Sequence, residues 1–300
     1  MKSIFAAFLI LISFSATAQD NEAYFLSTPC LTPDGQTVIF SFEGDLWKAN
    51  VNNGQASRLT AMQGYESSPR VSPDGKWIAF TGRQFGNADI FVMPSNGGEI
   101  KQLTYHSAND EVCSWGWDSK TIYFQSNRLG RSNGYMISVL GGTPKTVFGD
   151  FFFQYDHNLM EDPVTGEMFF NDTWESSFQV QRKRYKGPFN PDIQSYNVKT
   201  KQYKKYTTWE GKDFGATIDR KGNIYFISDE INGEYNLYSL ETGKKNNLTN
   251  FNSSIKSAFV NANGGKIVFE KDYQLWMYDV ASKRSEKLKI EIVRNSVLPN

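Results

Sequence analysis

The chain has 300 residues and a mass of 34.1 kDa, room for two average domains or one large all-β domain. Lys and Arg number 32 and Asp and Glu number 32, so the formal net charge is zero, which argues against a polyanion binder with its basic excess. Aromatic residues make up 15%, glycines number 24 and mean hydropathy is −0.50; this composition argues against intrinsic disorder and points to many short strands.

The N-terminus reads as an address. Lys2 is followed by the uncharged apolar run Ile4 to Phe14 and then by Ala16-Thr17-Ala18. This is the pattern of a secretory signal over residues 1–18, with cleavage expected after Ala18. The run is too short to span a bilayer comfortably, and no later stretch reaches 18 apolar residues. The sequence thus predicts an exported, periplasmic protein without a membrane span after cleavage.

Beyond the signal the chain repeats itself. TPDGQTVIF (Thr32 to Phe40) and SPDGKWIAF (Ser72 to Phe80) are near copies. Looser ones are GWDSKTIYF, DPVTGEMFF, DRKGNIYF and NANGGKIVF. Their closing phenylalanines stand at 40, 80, 124, 170, 226 and 269, so the spacings are 40, 44, 46, 56 and 43. A period of this length is that of a four-stranded propeller blade. In the Pro-Asp-Gly turn, Pro presets φ, Asp bonds nearby backbone and Gly accepts a positive φ. The run that follows, such as Trp77-Ile78-Ala79-Phe80, is apolar on both faces, as a strand buried on both sides requires. One unit cannot bury two faces alone, but a ring of units can. The prediction is an all-β, six-bladed β-propeller over residues 22–290. Its blades of four antiparallel strands fall near 28–60, 67–104, 111–148, 158–207, 215–249 and 256–289. Residues 22–27 or 290–293 are candidates to latch the ring, the alternative being an open ring, and 291–300 read as the start of a linker to a downstream region.

The fourth unit is irregular. Between Phe170 and Asp192 lies a long segment with the basic cluster Arg182-Lys183-Arg184 and Lys186. It reads either as a solvated excursion or as a docking or lid segment.

These repeats resemble the Pro-Asp-Gly repeats of TolB-like proteins. The stretch DIFVMPSNGGEIKQLTYHSAND (Asp89 to Asp110), with RKRYKG (Arg182 to Gly187) followed by Asp192-Ile193, is more similar to the N-terminal six-bladed propeller of tricorn-type proteases. The resemblance covers about Tyr24 to Leu288. It implies a non-catalytic module that gates or scaffolds peptide access to a serine-peptidase chamber built by domains downstream. It also implies peptides, a protein partner or those peptidase domains as partners. The family's catalytic Ser and His match no position before Asn300, so no catalytic residue is carried over. The chain then reads as a fragment of a longer protease or as a lone propeller. The alternative is a stand-alone TolB-like periplasmic protein-binding propeller.

The remaining residues give little chemistry. His106 lies in a loop after the second unit, and His157 follows Asp156 on a strand where neighbours face opposite ways; neither has a visible catalytic partner. Asp45 and Asp89 recur at matching positions, which suggests backbone capping. Arg83 and Arg128 occupy equivalent loops and are expected to bond neighbouring acids and carbonyls at the blade rim. No metal-binding, phosphate-binding or dinucleotide motif is present, so no cofactor or metal is expected. Cys30 and Cys113 fall on innermost strands of non-adjacent units, one register step apart, and are expected to be free thiols.

Overall fold

The structure, a computed structural model, describes residues 22–149, 153 and 155–292. The signal segment and residues 293–300 lie outside them. Strands arise in the expected order. Blade 1 holds β1 (Ser27–Leu31), β2 (Thr37–Phe42), β3 (Asp45–Asn50) and β4 (Ala56–Arg58). Blade 2 holds β5 (Glu66–Val71), β6 (Trp77–Gly82), β7 (Asp89–Pro94) and β8 (Lys101–Gln102). Blade 3 holds β9 (Asp110–Trp115), β10 (Thr121–Ser126), β11 (Asn133–Ser138) and β12 (Lys145–Thr146). In blade 4, β13 (Asp156–Glu161) and β14 (Met168–Asp172) are separated from β15 (Gln194–Asn197) and β16 (Gln202–Lys205) by the one described helix, α1 (Trp174–Phe178). Blade 5 holds β17 (Asp213–Ile218), β18 (Ile224–Ser228), β19 (Asn236–Glu241) and β20 (Lys244–Asn247). Blade 6 holds β21 (Ile255–Val260), β22 (Lys266–Lys271), β23 (Gln274–Asp279) and β24 (Arg284–Lys287). Each blade is a separate four-stranded antiparallel sheet with its strands in chain order. The fold is the six-bladed β-propeller.

The turns form as their chemistry dictates. Asp34 Oδ1 accepts from Thr32 Oγ1 at 2.6 Å and from the Gln36 amide at 3.0 Å, while Gly35 takes φ 68°. Asp74 repeats this with Ser72 and Lys76. The second strands are buried on both faces because alternate side chains serve different seams. Val38 and Phe40 pack towards blade 6, whereas Ile39 packs with Ile78 and Phe80 of blade 2. Ala79 then faces blade 3. Cys30 sits in the seam between blades 1 and 2, Cys113 in that between blades 3 and 4, and both are free thiols, pushed up to about 11 by burial.

Both candidate latches are used, together. The Ala23 amide donates to Ile290 O at 3.0 Å, the Glu291 amide to Gly54 O at 3.0 Å, and Glu22 pairs with Lys287 at 2.6 Å. Ile290 and Ile292 add to the core shared by blades 1 and 6, with Leu26, Phe40 and Val268. At Gly54 (φ 70°) a β-carbon would overlap the Lys289 carbonyl oxygen, so the close approach of the latch requires glycine there. No helix among the described residues is long and apolar enough to cross a membrane.

A threonine clamp recurs where the third and fourth strands meet. Thr104 Oγ1 accepts from the Ile90 amide at 2.9 Å and donates to Asp89 at 3.2 Å. Thr207 does the same for Ile193 and Asp192, and Thr249 for Leu237 and Asn236. Asp89 therefore fixes backbone through Thr104. Blade 1 differs: Asp45 pairs with Arg58, and Thr60 Oγ1 donates to Glu66 Oε2 at 2.8 Å instead. Glu66 is fully buried, also accepts from Gln84 Nε2 at 2.6 Å, and is pushed up to about 7, by burial first. A carboxyl whose folded value is raised binds its proton more tightly when folded. Its contribution is present at low pH and is lost as pH rises from about 4.5 to about 7. Glu66→Gln should therefore flatten the pH dependence of stability across that window and raise the melting temperature at pH 8 by about 2–4 °C. Thermal melts at pH 5 and pH 8 check this; a variant that melts below wild type at pH 8 would contradict it.

Candidate functional site

The innermost strands surround a central channel, and their pairing registers define its levels. Cys30, Arg70, Ser114, Met160, Thr217 and Phe259 face equivalent partners on the second strands and form one ring, one residue short of the strand ends that lead into the Pro-Asp-Gly turns. At this ring the channel is crossed. The Arg70 guanidinium lies 3.6 Å from the Phe259 ring centroid, joining blades 2 and 6. Its Nε donates to Cys113 O at 3.0 Å and its Nη1 to Pro69 O at 2.7 Å, while Trp115 Nε1 donates to Arg70 O. Burial pushes the guanidinium down to about 10. Arg70 and Phe259 border two cavities, one of about 60 Å³ towards the Pro-Asp-Gly turns and one of about 260 Å³ towards the opposite face.

The Pro-Asp-Gly end is crossed a second time. Arg220 of blade 5 donates from Nη2 to Pro73 O of blade 2 at 2.7 Å and lies over the Trp117 ring of blade 3. Blades 2 and 5 are diametrically opposite in a ring of six, so this contact spans the channel. The sequence carries a signal for it that the repeat reading passes over. In DRKG, Arg220 stands where SPDG has Pro73, and the departure from the turn pattern supplies the crossbar.

The other face carries the fourth-blade excursion. Thr173 caps α1 by accepting from the Ser176 amide. Ser176 and Val180 then line the larger cavity together with residues of blades 2 to 6. The excursion is strapped to blade 5. Lys212 Nζ meets Glu175 Oε2 at 3.1 Å and donates to Gln179 O at 2.6 Å, both side chains of the pair being fully buried. Burial holds the Lys212 amine below its usual value. Tyr235 Oη donates to Val180 O at 2.6 Å. The basic cluster is paired throughout: Arg182 with Glu175, Lys183 and Arg184 with Glu234, and Lys186 with Glu210. It is a set of anchors for a cover over the channel mouth.

Of the other residues singled out from sequence, Cys30 and Cys113 line the cavities, whereas the two histidines, Asp156, Arg83 and Arg128 do not. His106 is exposed, and its Nδ1 accepts from the Ala108 amide at 3.0 Å. His157 is buried, pushed down to about 4 by that burial, with Nδ1 against Tyr155 O at 2.5 Å. Asp156 turns away from it to Asn133 Nδ2 and the Gly134 amide, and is pushed up to about 6 by burial. Arg128 bonds Asp110 at 2.7 Å and Arg83 bonds Glu111 at 3.4 Å, both at the rim. Among the described residues no group of three or more His, Cys, Asp or Glu is placed to hold a metal ion.

Comparison with known proteins now adds to the geometry. The family described as the tricorn protease N-terminal beta propeller domain matches residues 23–284. The chain belongs to that family. A tricorn protease homolog of Saccharolobus solfataricus is 25% identical over 286 residues, covering 90% of this chain and 25% of that protein. The putative tricorn-like protease N-terminal subunit of Sulfurisphaera tokodaii is 32% identical over 127 residues, covering 39% of this chain and 64% of that one. The crystal structure of the tricorn protease superposes with a TM-score of 0.76 at 21% identity, over 91% of this chain and 27% of that structure. TolB from Acinetobacter baumannii gives 0.67 at 16% identity, over 89% and 63%; at these identities the two structures show the fold alone. The tricorn propeller thus spans about a quarter of the first relative's length.

Proposed function

We propose that this tricorn-type propeller is the non-catalytic module of an exported serine peptidase, and that it controls peptide access by holding peptides or a peptidase partner rather than by passing them freely. The family match over 23–284 carries the reading. The crossings at Arg70–Phe259 and Arg220–Pro73 favour holding: an extended chain could pass only after both give way. The face bearing the larger cavity also exposes apolar rings, among them Phe25, Tyr65, Phe85, Tyr105 and Tyr273, a composition suited to contact with protein. Export is inferred from the pattern of residues 1–18. The test is direct. Incubated with a mixed peptide library, the chain should leave every peptide intact by mass spectrometry, and it should retain apolar peptides on an affinity column. Cleavage by the chain itself would overturn the division of labour, and failure to retain any peptide or peptidase domain would overturn the holding role.

A further inference from the structure

Three cations set into the blades have carboxylate partners. Lys212 has Glu175, Lys245 has Asp213 at 2.8 Å, and Arg128 has Asp110 at 2.7 Å. Arg70, at the channel, has none: among the described residues no carboxylate lies within ion-pair distance of it. The carboxylates around it are engaged elsewhere. Glu270 accepts from the Thr28 amide at 2.6 Å, and Glu111 is held by Arg83 and by Gln125 Nε2. Two of the guanidinium nitrogens are used, Nε and Nη1, whereas Nη2 has no hydrogen-bond partner among the described residues. Arg70 is half-buried, and a cation withdrawn from water is costly unless charge or hydrogen bonds offset it. Phe259 covers one face of this one, and two carbonyls offset it in part.

Beside it lies the cavity of about 260 Å³. Its wall has two chemistries. Ser68, Asn158 and Ser257 offer short polar side chains, and Leu159, Ala216 and Ala258 offer apolar surface. A cavity of ~150 Å³ takes a benzene ring, so this one has room for an acid of roughly ten non-hydrogen atoms. One guanidinium edge matches one negative charge, and Glu111 in the same wall disfavours a dianion.

We propose that the channel cavity beside Arg70 binds a small monocarboxylate, with its anionic head on the guanidinium and its apolar tail against Leu159 and Ala258. The carboxylate belongs either to a free organic acid or to the C-terminus of a short peptide. The site rests on Arg70 and its surroundings, and stands whether or not the chain serves a peptidase.

The test is calorimetric titration of the chain with isovalerate and with its neutral isostere isovaleramide, and of a short apolar peptide with a free or an amidated C-terminus. Saturable binding of an acid, weakened at least about tenfold in the matching amide, is the expected result. Preference for isovalerate identifies a free acid as the source, and binding confined to the free-terminus peptide identifies a chain end. Arg70→Met, which keeps an apolar stem over Phe259, should lose at least about tenfold in affinity for the acid. Where Arg70→Met fails to fold, the acid–amide comparison on the unaltered chain decides alone. The proposal is overturned if neither acid binds, if acid and amide bind alike, or if a folded Arg70→Met keeps its affinity.

Discussion

Replacing Lys212 with alanine should destabilise the folded chain by about 3 kcal/mol or more. The Lys212 and Glu175 side chains are fully buried, and Lys212 Nζ also satisfies the carbonyls of Gln179 and Glu175 at the end of α1. Removing the amine leaves the Glu175 carboxylate buried with only the half-exposed Arg182 as counter-charge. Breaking one partner of a buried pair is far worse than removing both, because the survivor keeps its desolvation penalty. The double variant Lys212→Met with Glu175→Leu should therefore recover much of the loss. Urea unfolding of the three chains measures this. Hydrogen exchange across residues 174–184 should show the excursion opening in the single variant ahead of the blades. If the single variant unfolds at the wild-type urea midpoint with the excursion still protected, the clasp does not hold the cover down.

Why the propeller was visible in the sequence, while its channel was not, has a physical cause. The repeat is made of local chemistry: a turn that needs Asp and Gly, as at Asp74-Gly75, and a strand that needs apolar residues on both faces, as at Ile78-Ala79-Phe80. Every copy must satisfy the same demands, so the pattern recurs and can be counted. Blade 4 kept its four strands although its spacing stretched to 56, because the added residues fall between β14 and β15, outside the sheet. The channel is made of what differs between copies. At one ring level the six units place Cys30, Arg70, Ser114, Met160, Thr217 and Phe259, and no local rule says that the second and the sixth of these blades meet through Arg70 and Phe259. Arg220 left a trace by replacing a turn proline, but its acceptor Pro73 lies 147 residues away in sequence. The basic cluster was legible as charge and not as anchorage, since Glu234 belongs to blade 5 and Glu210 to the connection leading into it, both far along the chain from the cluster.

These non-repeating residues have one effect in common. The two arginine crossings join blades that are not neighbours, and the excursion joins blade 4 to blade 5 above the channel mouth. A ring held only by its seams can widen by small rotations shared among six blades. Ties across the axis oppose such widening of the larger cavity, which lies between the Arg70–Phe259 floor and the Ser176–Val180 cover. A pocket bounded by a floor and a partial cover suits retention of a short segment, whereas an open bore would suit passage.

Ile290→Ala should cost about 2–4 kcal/mol and should open the ring at one seam only. Ile290 is buried in the core that blades 1 and 6 share, and its carbonyl accepts from the Ala23 amide. This is the seam where the first and last described blades meet, so no covalent connection between adjacent blades backs up its packing. At every other seam the chain runs from the fourth strand of one blade into the first strand of the next. Phe226→Ala, at the seam of blades 4 and 5, should cost about 3–5 kcal/mol and yet lower protection throughout, because the chain still tethers those blades. Gly54→Ala attacks the latch by a different route, since its β-carbon would overlap the Lys289 carbonyl oxygen. Hydrogen exchange should then show residues 22–31 and 284–292 losing protection first in both latch variants, with residues 224–240 unchanged at the same urea concentration. Uniform loss of protection in Ile290→Ala and Gly54→Ala, matching that of Phe226→Ala, would show that the latch is no weaker than a seam joined by the chain.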